Sequence, residues 1–502
     1  MSKLHEMLLA NDKKKIFNFG GTPSIGYPSG LLPLDYSNGY WVHVNNKGKT
    51  DVPKQWLNIG TQGGSFYTII GNSGVAKTTL AVQIGSAEIY DFTFGDFYHI
   101  DAEGTSNPTR VQMLNRFSDD LMLDKYHFPD LIYVEDTFKM IYELAQMKIS
   151  NKDFAYHTGC YDQMGNEIII PQPTVVLIDS LPSLQTKDVE DSNELGSQTY
   201  NMRLAIAYNT FYKRLRPIIR DANITTMAIN HIKEKPEMGF VKTQAKIQYL
   251  KPSESIPGGS GPIYYSQNLL RMIYRGKFTE EKHGFGGFMV EAMNLKSKTN
   301  KSGTSVHLVF HEKYGFEPII TLMNYADELG LVHGRNPYCF FESAPDVKFN
   351  TKDISYIHDE RIHKILMDEC KPYLMSMVGE SVLSDRDISP TELMRRLEES
   401  YRTTDAKKDE LVDTNKITGE AQTAALRTMI RNANEEHFKE MKSHKRFKGI
   451  HRYGVSLKNQ PPIEQYLTTI KGTQMYMNAT MHEMHSVPYI DGTREVGFYV
   501  AG

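Results

Sequence analysis

Gly71-Asn72-Ser73-Gly74-Val75-Ala76-Lys77-Thr78-Thr79 follows directly on the apolar run Phe66-Tyr67-Thr68-Ile69-Ile70, and this junction decides the fold. A strand that breaks into a glycine-bearing turn and then a helix gathers backbone N–H groups around an anion. The dipole of the helix opening at Lys77 adds positive charge at the same place. Lys77 is positioned to meet the β- and γ-phosphates of a nucleotide, and Thr78 to offer its hydroxyl to Mg²⁺. The spacing is that of G-x-x-x-x-G-K-S/T, with Ala76 standing where the second glycine belongs. A methyl group is the smallest possible departure, but it bears on the turn geometry. Nine residues alone also fit an ordinary strand-to-helix turn, so the rest of the chain has to decide.

Working outward, apolar runs of strand length recur at 97–100, 174–178, 224–229, 269–274, 288–295 and 306–310. The early ones are separated by helix-length segments, which implies crossover connections and a mostly parallel twisted sheet with helices on both faces. The later ones follow closely on one another, as in an appended antiparallel edge. The segment 155–173 carries Gly165-Asn166 between two short runs and reads as a hairpin insertion. Residues 1–60 form a lead that opens with an amphipathic helix over 3–16; 61–335 form the α/β core. Residues 336–502 read as a mainly helical region with a well-signed helix start at Ser389-Pro390 and a second helix over 420–444.

Composition narrows the function classes. The chain has 502 residues, 40% hydrophobic and 23% charged, with a formal charge of −3, enough length for a large core plus smaller units. Three widely spaced cysteines, Cys160, Cys339 and Cys370, suit a reducing compartment and form neither a disulfide framework nor a zinc pattern. No apolar stretch approaches ~18 residues, so no membrane span is expected. Near-neutral charge gives no global nucleic-acid signature, and any such binding must come from local patches.

In a parallel sheet the chemistry collects at the carboxyl ends of the strands. Here 97–100 ends in Asp101-Ala102-Glu103, 174–178 in Asp179-Ser180, and 224–229 in Asn230-His231. Asp179 has the place of a Mg²⁺ carboxylate, and Glu103 that of a base that polarises an attacking water. Phosphoryl transfer asks a protein mainly for positioning and charge stabilisation, so this set is chemically sufficient. Each acid taken alone also fits a helix cap or a solvated loop.

These motifs, HIDAEGTSNP (99–108), VVLIDSLPSL (175–184), AINHIKEK (228–235), PGGSGPIYYSQNLLRMI (257–273), NLKSKTNKSGTSVHLVF (294–310) and GFEPIITLMNYADELGLV (315–332), occur in one order. In that order the chain resembles the RecA-type recombinases over 31–332, most closely their T-even phage branch. The resemblance implies a RecA-like P-loop ATPase core and an ATP- and Mg²⁺-dependent recombinase that forms helical filaments on single-stranded DNA. It also implies exchange of that strand with a homologous duplex, DNA-stimulated hydrolysis, phage mediator and single-strand-binding proteins as partners, and a host bacterial cytoplasm. It makes Glu103 the base and His231 the γ-phosphate sensor. Lys296 and Lys298, on one face of a strand and with Lys301 close by, would complete a neighbour's ATP site in trans. Asn107 would meet the adenine and Arg110 stack on it. Two rival readings remain open, a ring helicase on the same fold and an ATP-binding mediator or scaffold with little turnover.

DNA would be met by two loops. The first, 187–200, carries Asp188, Glu190, Asp191 and Glu194, an odd surface for phosphates. The second, 232–261, carries Lys233, Lys235, Lys242, Lys246 and Lys251 with Phe240 and Tyr249 interleaved. It leaves through Gly258-Gly259-Ser260-Gly261, which reads as a mobile exit. Glu234, Glu237 and Glu254 dilute its charge. A further basic cluster, Lys442, Lys445, Arg446, Lys448 and Arg452 beside Phe447 and Tyr453, is suited to duplex capture or simply to a solvated helix end.

Overall fold

The computed structural model describes residues 25–43, 55–115, 117–161, 167–187, 198–234, 247–378, 485–488 and 495–501. Apart from Glu328–Gly330, these belong to one compact unit. The amphipathic helix read at 3–16, both helices read after Ser389 and the basic cluster at 442–452 lie outside the described residues.

A nine-stranded sheet organises the core. Its strands are β1 (Phe66–Gly71), β2 (Asp96–Asp101), β3 (Tyr126–His127), β4 (Thr174–Asp179), β5 (Ile224–His231), β6 (Asn268–Phe278), β7 (Gly287–Ser297), β8 (Ser305–His311) and β9 (Gly315–Phe316). The spatial order is β9-β8-β7-β6-β1-β5-β4-β2-β3. From β6 to β3 every pairing is parallel; from β6 outward to β9 every pairing is antiparallel. The mostly parallel α/β sheet with an antiparallel edge is the architecture expected from the sequence.

Both faces of the central strands are covered, which is why their sequences are apolar without alternation. Tyr67, Ile69, Val175, Leu177, Met227 and Ile229 share one core with Leu80, Ala81 and Ile84 of helix α1 (Lys77–Ile89). Phe66, Val176, Ile178 and Ile224 share the other core. There they meet α2 (Val134–Ser150) and α3 (Gln198–Ala222), through Ile141 and Ala145, and through Leu204, Tyr208, Phe211, Leu215 and Ile219. The α3 spacings of three and four residues make one stripe of that helix apolar.

The insertion is a hairpin, Ala155–Tyr161 against Glu167–Pro171, as its turn residues suggest. It is tied to the core by Lys148 at the end of α2. That side chain donates to Gln172 O at 2.6 Å and to Thr174 Oγ1.

In the region expected to be mainly helical, the described residues are more varied. Val332–Arg335, Tyr338–Phe341 and Ala344–Phe349 form a three-stranded antiparallel sheet, followed by a 19-residue helix, Glu360–Val378. Asn336-Pro337 makes the first turn, and Cys339 and Phe341 alternate inward while Tyr338 stays exposed. Glu495–Ala501 adds to a strand at Gln55–Asn58. No helix among the described residues is long and apolar enough to cross a membrane.

Candidate nucleotide and DNA site

The phosphate loop has the shape that the residues imply. Ala76 sits at φ 59°, ψ 38°, left-handed backbone that explains why a glycine suits the position; an alanine there costs about 1–2 kcal/mol. Its carbonyl still accepts the first helical bond, from Leu80 N at 3.0 Å. Gly74, at φ 80°, has open space where a side chain would stand, so glycine is needed there for its backbone and not for close packing. Lys77 is buried and turned back, donating from Nζ to Asn72 O at 2.8 Å. Burial lowers its pKa, against the pull of Asp179 and Glu103.

Three strand ends meet beside this loop. Thr78 Oγ1 donates to Asp179 Oδ2 at 2.6 Å. Burial is the main cause that lifts Asp179 to about 6, with Glu103 and Asp101 adding to it. Asp101 lies level with Asp179 on the neighbouring strand, and its Oδ1 is buried without a partner. Two carboxylates, Asp179 and Glu103, therefore act on Lys77, and the Thr78 hydroxyl with the Asp179 carboxylate is an oxygen pair that suits a hard divalent cation such as Mg²⁺.

Glu103 is gripped from two sides. Ser180 Oγ donates to its Oε1 at 2.5 Å, and His231 Nε2 lies 3.3 Å from the same oxygen. The Ser180 bond, above all, holds the carboxyl below its ordinary range. His231 leaves the sheet next to Asn230, whose Nδ2 donates to Pro257 O at 3.0 Å. The end of β5 is thus joined to the residue just before Gly258. Ser180 and Asn230 were visible in the motifs only as neighbours of Asp179 and His231, and their bonds carry no sequence signal of their own.

Asn107 and Arg110 have structural partners. Asn107 Oδ1 accepts from Arg110 N at 3.1 Å, capping the helix Pro108–Asn115. The Arg110 guanidinium donates to Glu312 O and Lys313 O, both at 3.0 Å. It spans to the turn that carries Tyr314, whose ring lies 4.7 Å from that of His311. Neither aromatic stands out in the sequence motifs.

The second loop grows from a built base. Lys233–Glu234 pairs antiparallel with Glu254–Ser255. Glu254 is buried and held by both terminal guanidinium nitrogens of Arg271, at 2.6 and 3.0 Å. This acid therefore does not dilute the charge of the loop, contrary to its reading from sequence. Lys233 and Lys251 are exposed. Tyr249 is 45% exposed, with its ring packed close over Gly303, where a side chain would lie 2.5 Å from it. Lys235, Phe240, Lys242 and Lys246 lie outside the described residues, as does most of the first loop; Gln198 and the residues after it belong to α3.

The glycine exit is packed, although its composition suggests mobility. Side chains at Gly258 and Gly259 would meet the Tyr208 ring at 3.2 Å and Ala205 Cβ at 3.0 Å, both on α3. Glycine is needed here for close approach, at φ 90° and 75°. The chain continues into α4 (Gly261–Tyr265), and there Lys296 and Lys298 are found. Lys296 Nζ donates to Ile263 O and Tyr264 O at 2.6 and 2.8 Å, and Lys298 Nζ to Tyr265 O at 3.3 Å. Lys296 pairs with Leu269, which is level with Thr68, whereas the phosphate loop leaves β1 at Gly71, level with Met272. The two lysines therefore sit towards the end of the sheet away from the loop of their own protomer.

No protein-family model matches the chain, and no curated protein matches it in sequence. Among solved structures, one described as the RadB recombinase aligns over 52% of this chain and 92% of its own, at 17% identity and a TM-score of 0.33. A likeness that slight carries no argument. The fold rests on the strand order, and the site on its distances.

Proposed function

We propose that this chain is an ATP-dependent DNA recombinase of the RecA type, closest to the UvsX recombinase of T-even phages. On this reading it polymerises on single-stranded DNA and exchanges that strand with a homologous duplex. The observation that carries the proposal is the grip on Glu103 by groups from two other strand ends, Ser180 and His231, beside the Thr78–Asp179 pair.

The loop 71–79 would cradle the triphosphate through its N–H groups, with Lys77 released from Asn72 O to meet it. Thr78 and Asp179 would hold Mg²⁺, which when bound neutralises charge on the transferring phosphoryl group. Glu103, kept ionised by Ser180, orients the attacking water and takes up its proton. His231 has a choice of partners, the Glu103 carboxylate or the γ-phosphate. A change of partner pulls on Asn230 and, through Pro257, on the exit of the second loop. Nucleotide state and DNA grip would be linked along that path. Arg110, next to the phosphate loop's helix, would stack on the base, with Asn107 beside it. Lys296 and Lys298 would serve a neighbour's nucleotide, since they sit away from their own phosphate loop.

Replacing Glu103 with Gln tests the reading. Hydrolysis in the presence of single-stranded DNA should fall about 10²–10⁴-fold while ATP still binds, because glutamine keeps the shape but cannot act as a base. Negative-stain images with ATP and DNA should show helical filaments. Closed rings without DNA would support a helicase instead, and normal hydrolysis by Glu103→Gln would remove Glu103 from the mechanism.

A further inference from the structure

Tyr212 and Arg216 stand one turn apart on α3, on the same side of the helix. The Tyr212 ring lies 6.4 Å from that of Tyr265, nearly parallel to it. Tyr265 is also the residue whose carbonyl accepts from Lys298. Arg216, one turn on from Tyr212, is near enough to Lys296 and Lys298 to repel their charge. Like charges then crowd together. Burial, reinforced by Lys298 and Arg216, lowers Lys296 to about 8, and burial and Arg216 lower Lys298. Among the described residues, none of the three makes an ion pair. The two lysines are answered only by three helix carbonyls, which carry partial negative charge. Three cations gathered without a carboxylate form a site for a polyanion, and two of them have bonds that can be given up.

We infer that Arg216 completes one phosphate-binding site with Lys296 and Lys298, and that filling it draws both lysines off the carbonyls of Ile263, Tyr264 and Tyr265. The inference rests on the filament reading for the source of the anion, the polyphosphate of a nucleotide held by a second copy of the chain. It goes beyond that reading in naming Arg216 and in naming what the lysines leave behind. Uncapping α4 loosens the helix that continues from Gly258-Gly259, so an occupied interface would be felt at the exit of the second loop. Glycine packing against α3 keeps that exit in register until then.

The test uses the full chain carrying Lys77→Ala, so that the protomer's own phosphate loop is silenced, and inorganic tripolyphosphate as the probe. Protection of Lys296 and Lys298 from an amine-reactive label is read by mass spectrometry, and amide exchange is followed across 258–267. Tripolyphosphate should protect both lysines and speed exchange in that segment. Arg216→Gln should raise the half-protecting concentration about tenfold, the worth of one charge-assisted contact, and Arg216→Lys should restore most of it. Equal protection in the Arg216→Gln protein would remove Arg216 from the site, and unchanged exchange would refute the uncapping. Protection by single-stranded DNA in place of tripolyphosphate would assign the site to a DNA backbone and overturn the nucleotide source.

A mixing experiment separates this inference from the reading beneath it. Lys77→Ala protein mixed with Lys296→Ala/Lys298→Ala protein pairs intact phosphate loops with intact neighbouring lysines, so hydrolysis should partly recover. No recovery in filaments seen to be mixed, with protection by tripolyphosphate intact, would sink the action in trans and leave the anion site standing. Recovery with Arg216→Gln introduced into the Lys77→Ala partner at no loss would sink the role of Arg216 alone.

Discussion

His231 Nε2 lies 3.3 Å from Glu103 Oε1, so the residue that leads into the second loop touches the carboxylate assigned to activate water. With His231→Ala, that carboxylate keeps Ser180 but loses its link to the loop. Steady-state hydrolysis should then lose about tenfold of its stimulation by single-stranded DNA, with ATP affinity little changed. His231→Gln keeps a donor and should retain most of the stimulation. Full stimulation in the alanine protein would mean that coupling runs by another route.

Ser180→Ala should move the pH profile. The Ser180 hydroxyl is the main cause that keeps Glu103 below its ordinary pKa, so removing it lets that pKa rise. A base works only when deprotonated, and the acid limb of kcat should shift to higher pH. An unmoved acid limb would show that this limb does not report Glu103.

Ala76→Val probes the loop itself. At φ 59° an alanine is tolerated at modest cost, but a β-branched residue there is a genuine backbone outlier. Nucleotide affinity should drop at least tenfold while Ala76→Gly binds as the parent does, both read by titration with a fluorescent ATP analogue. Parent-like affinity in the valine protein would show that the loop does not hold the phosphates in this conformation.

Charge removal at Lys235, Lys242 and Lys246 should flatten the salt dependence of single-strand binding by about 0.7 in slope for each lost phosphate contact. Fluorescence anisotropy across a salt series measures it. Slopes equal to the parent's would move the DNA contact off this loop and make the cluster at Lys442, Lys445 and Arg446 the next to test.

Glu88→Gln concerns stability. Glu88 is buried and accepts from Thr225 Oγ1 at 2.5 Å, and burial raises its pKa to about 8. The folded state then binds more protons than the unfolded state between pH ~4.5 and ~8, so this residue's contribution to stability falls as pH rises through that window. Each unit of the shift corresponds to about 1.4 kcal/mol. The glutamine protein lacks this dependence, and its stability relative to the parent should increase from pH 5 to pH 8 in denaturant titrations. A difference that stays flat with pH would show that Glu88 ionises normally in the fold.

Seven of the nine strands of the central sheet were legible because covered faces demand unbroken apolar runs, and the strand-end acids because their runs stop at a charged residue; Tyr126–His127 and Gly315–Phe316, two residues each, left no such run. Other features left no such mark. The ribbon of Lys233–Glu234 with Glu254–Ser255 is two residues long on each side, too short for any period to show. Glu254 looks like a loop acid until Arg271, on β6, is seen beside it. The glycines at 258 and 259 read as hinges because composition alone cannot tell freedom from close packing; only the nearness of Tyr208 and Ala205 decides. Arg216 lies on a helix with several cations, and nothing in its spacing distinguishes it from Lys213 or Arg220.

The position of β1 in the sheet also bears on how the protein comes to exist. This strand, wholly buried and ending in the phosphate loop, is flanked by Ile224–His231 on one side and Asn268–Phe278 on the other. Neither neighbour is available when Phe66 leaves the ribosome. At usual rates of synthesis both its edges stay open for on the order of ten seconds or more. Until then an apolar strand with free N–H and C=O groups is a template for the wrong partner. A chain stopped before Asn268 keeps one such edge permanently, and that fragment is an aggregation seed in place of a domain.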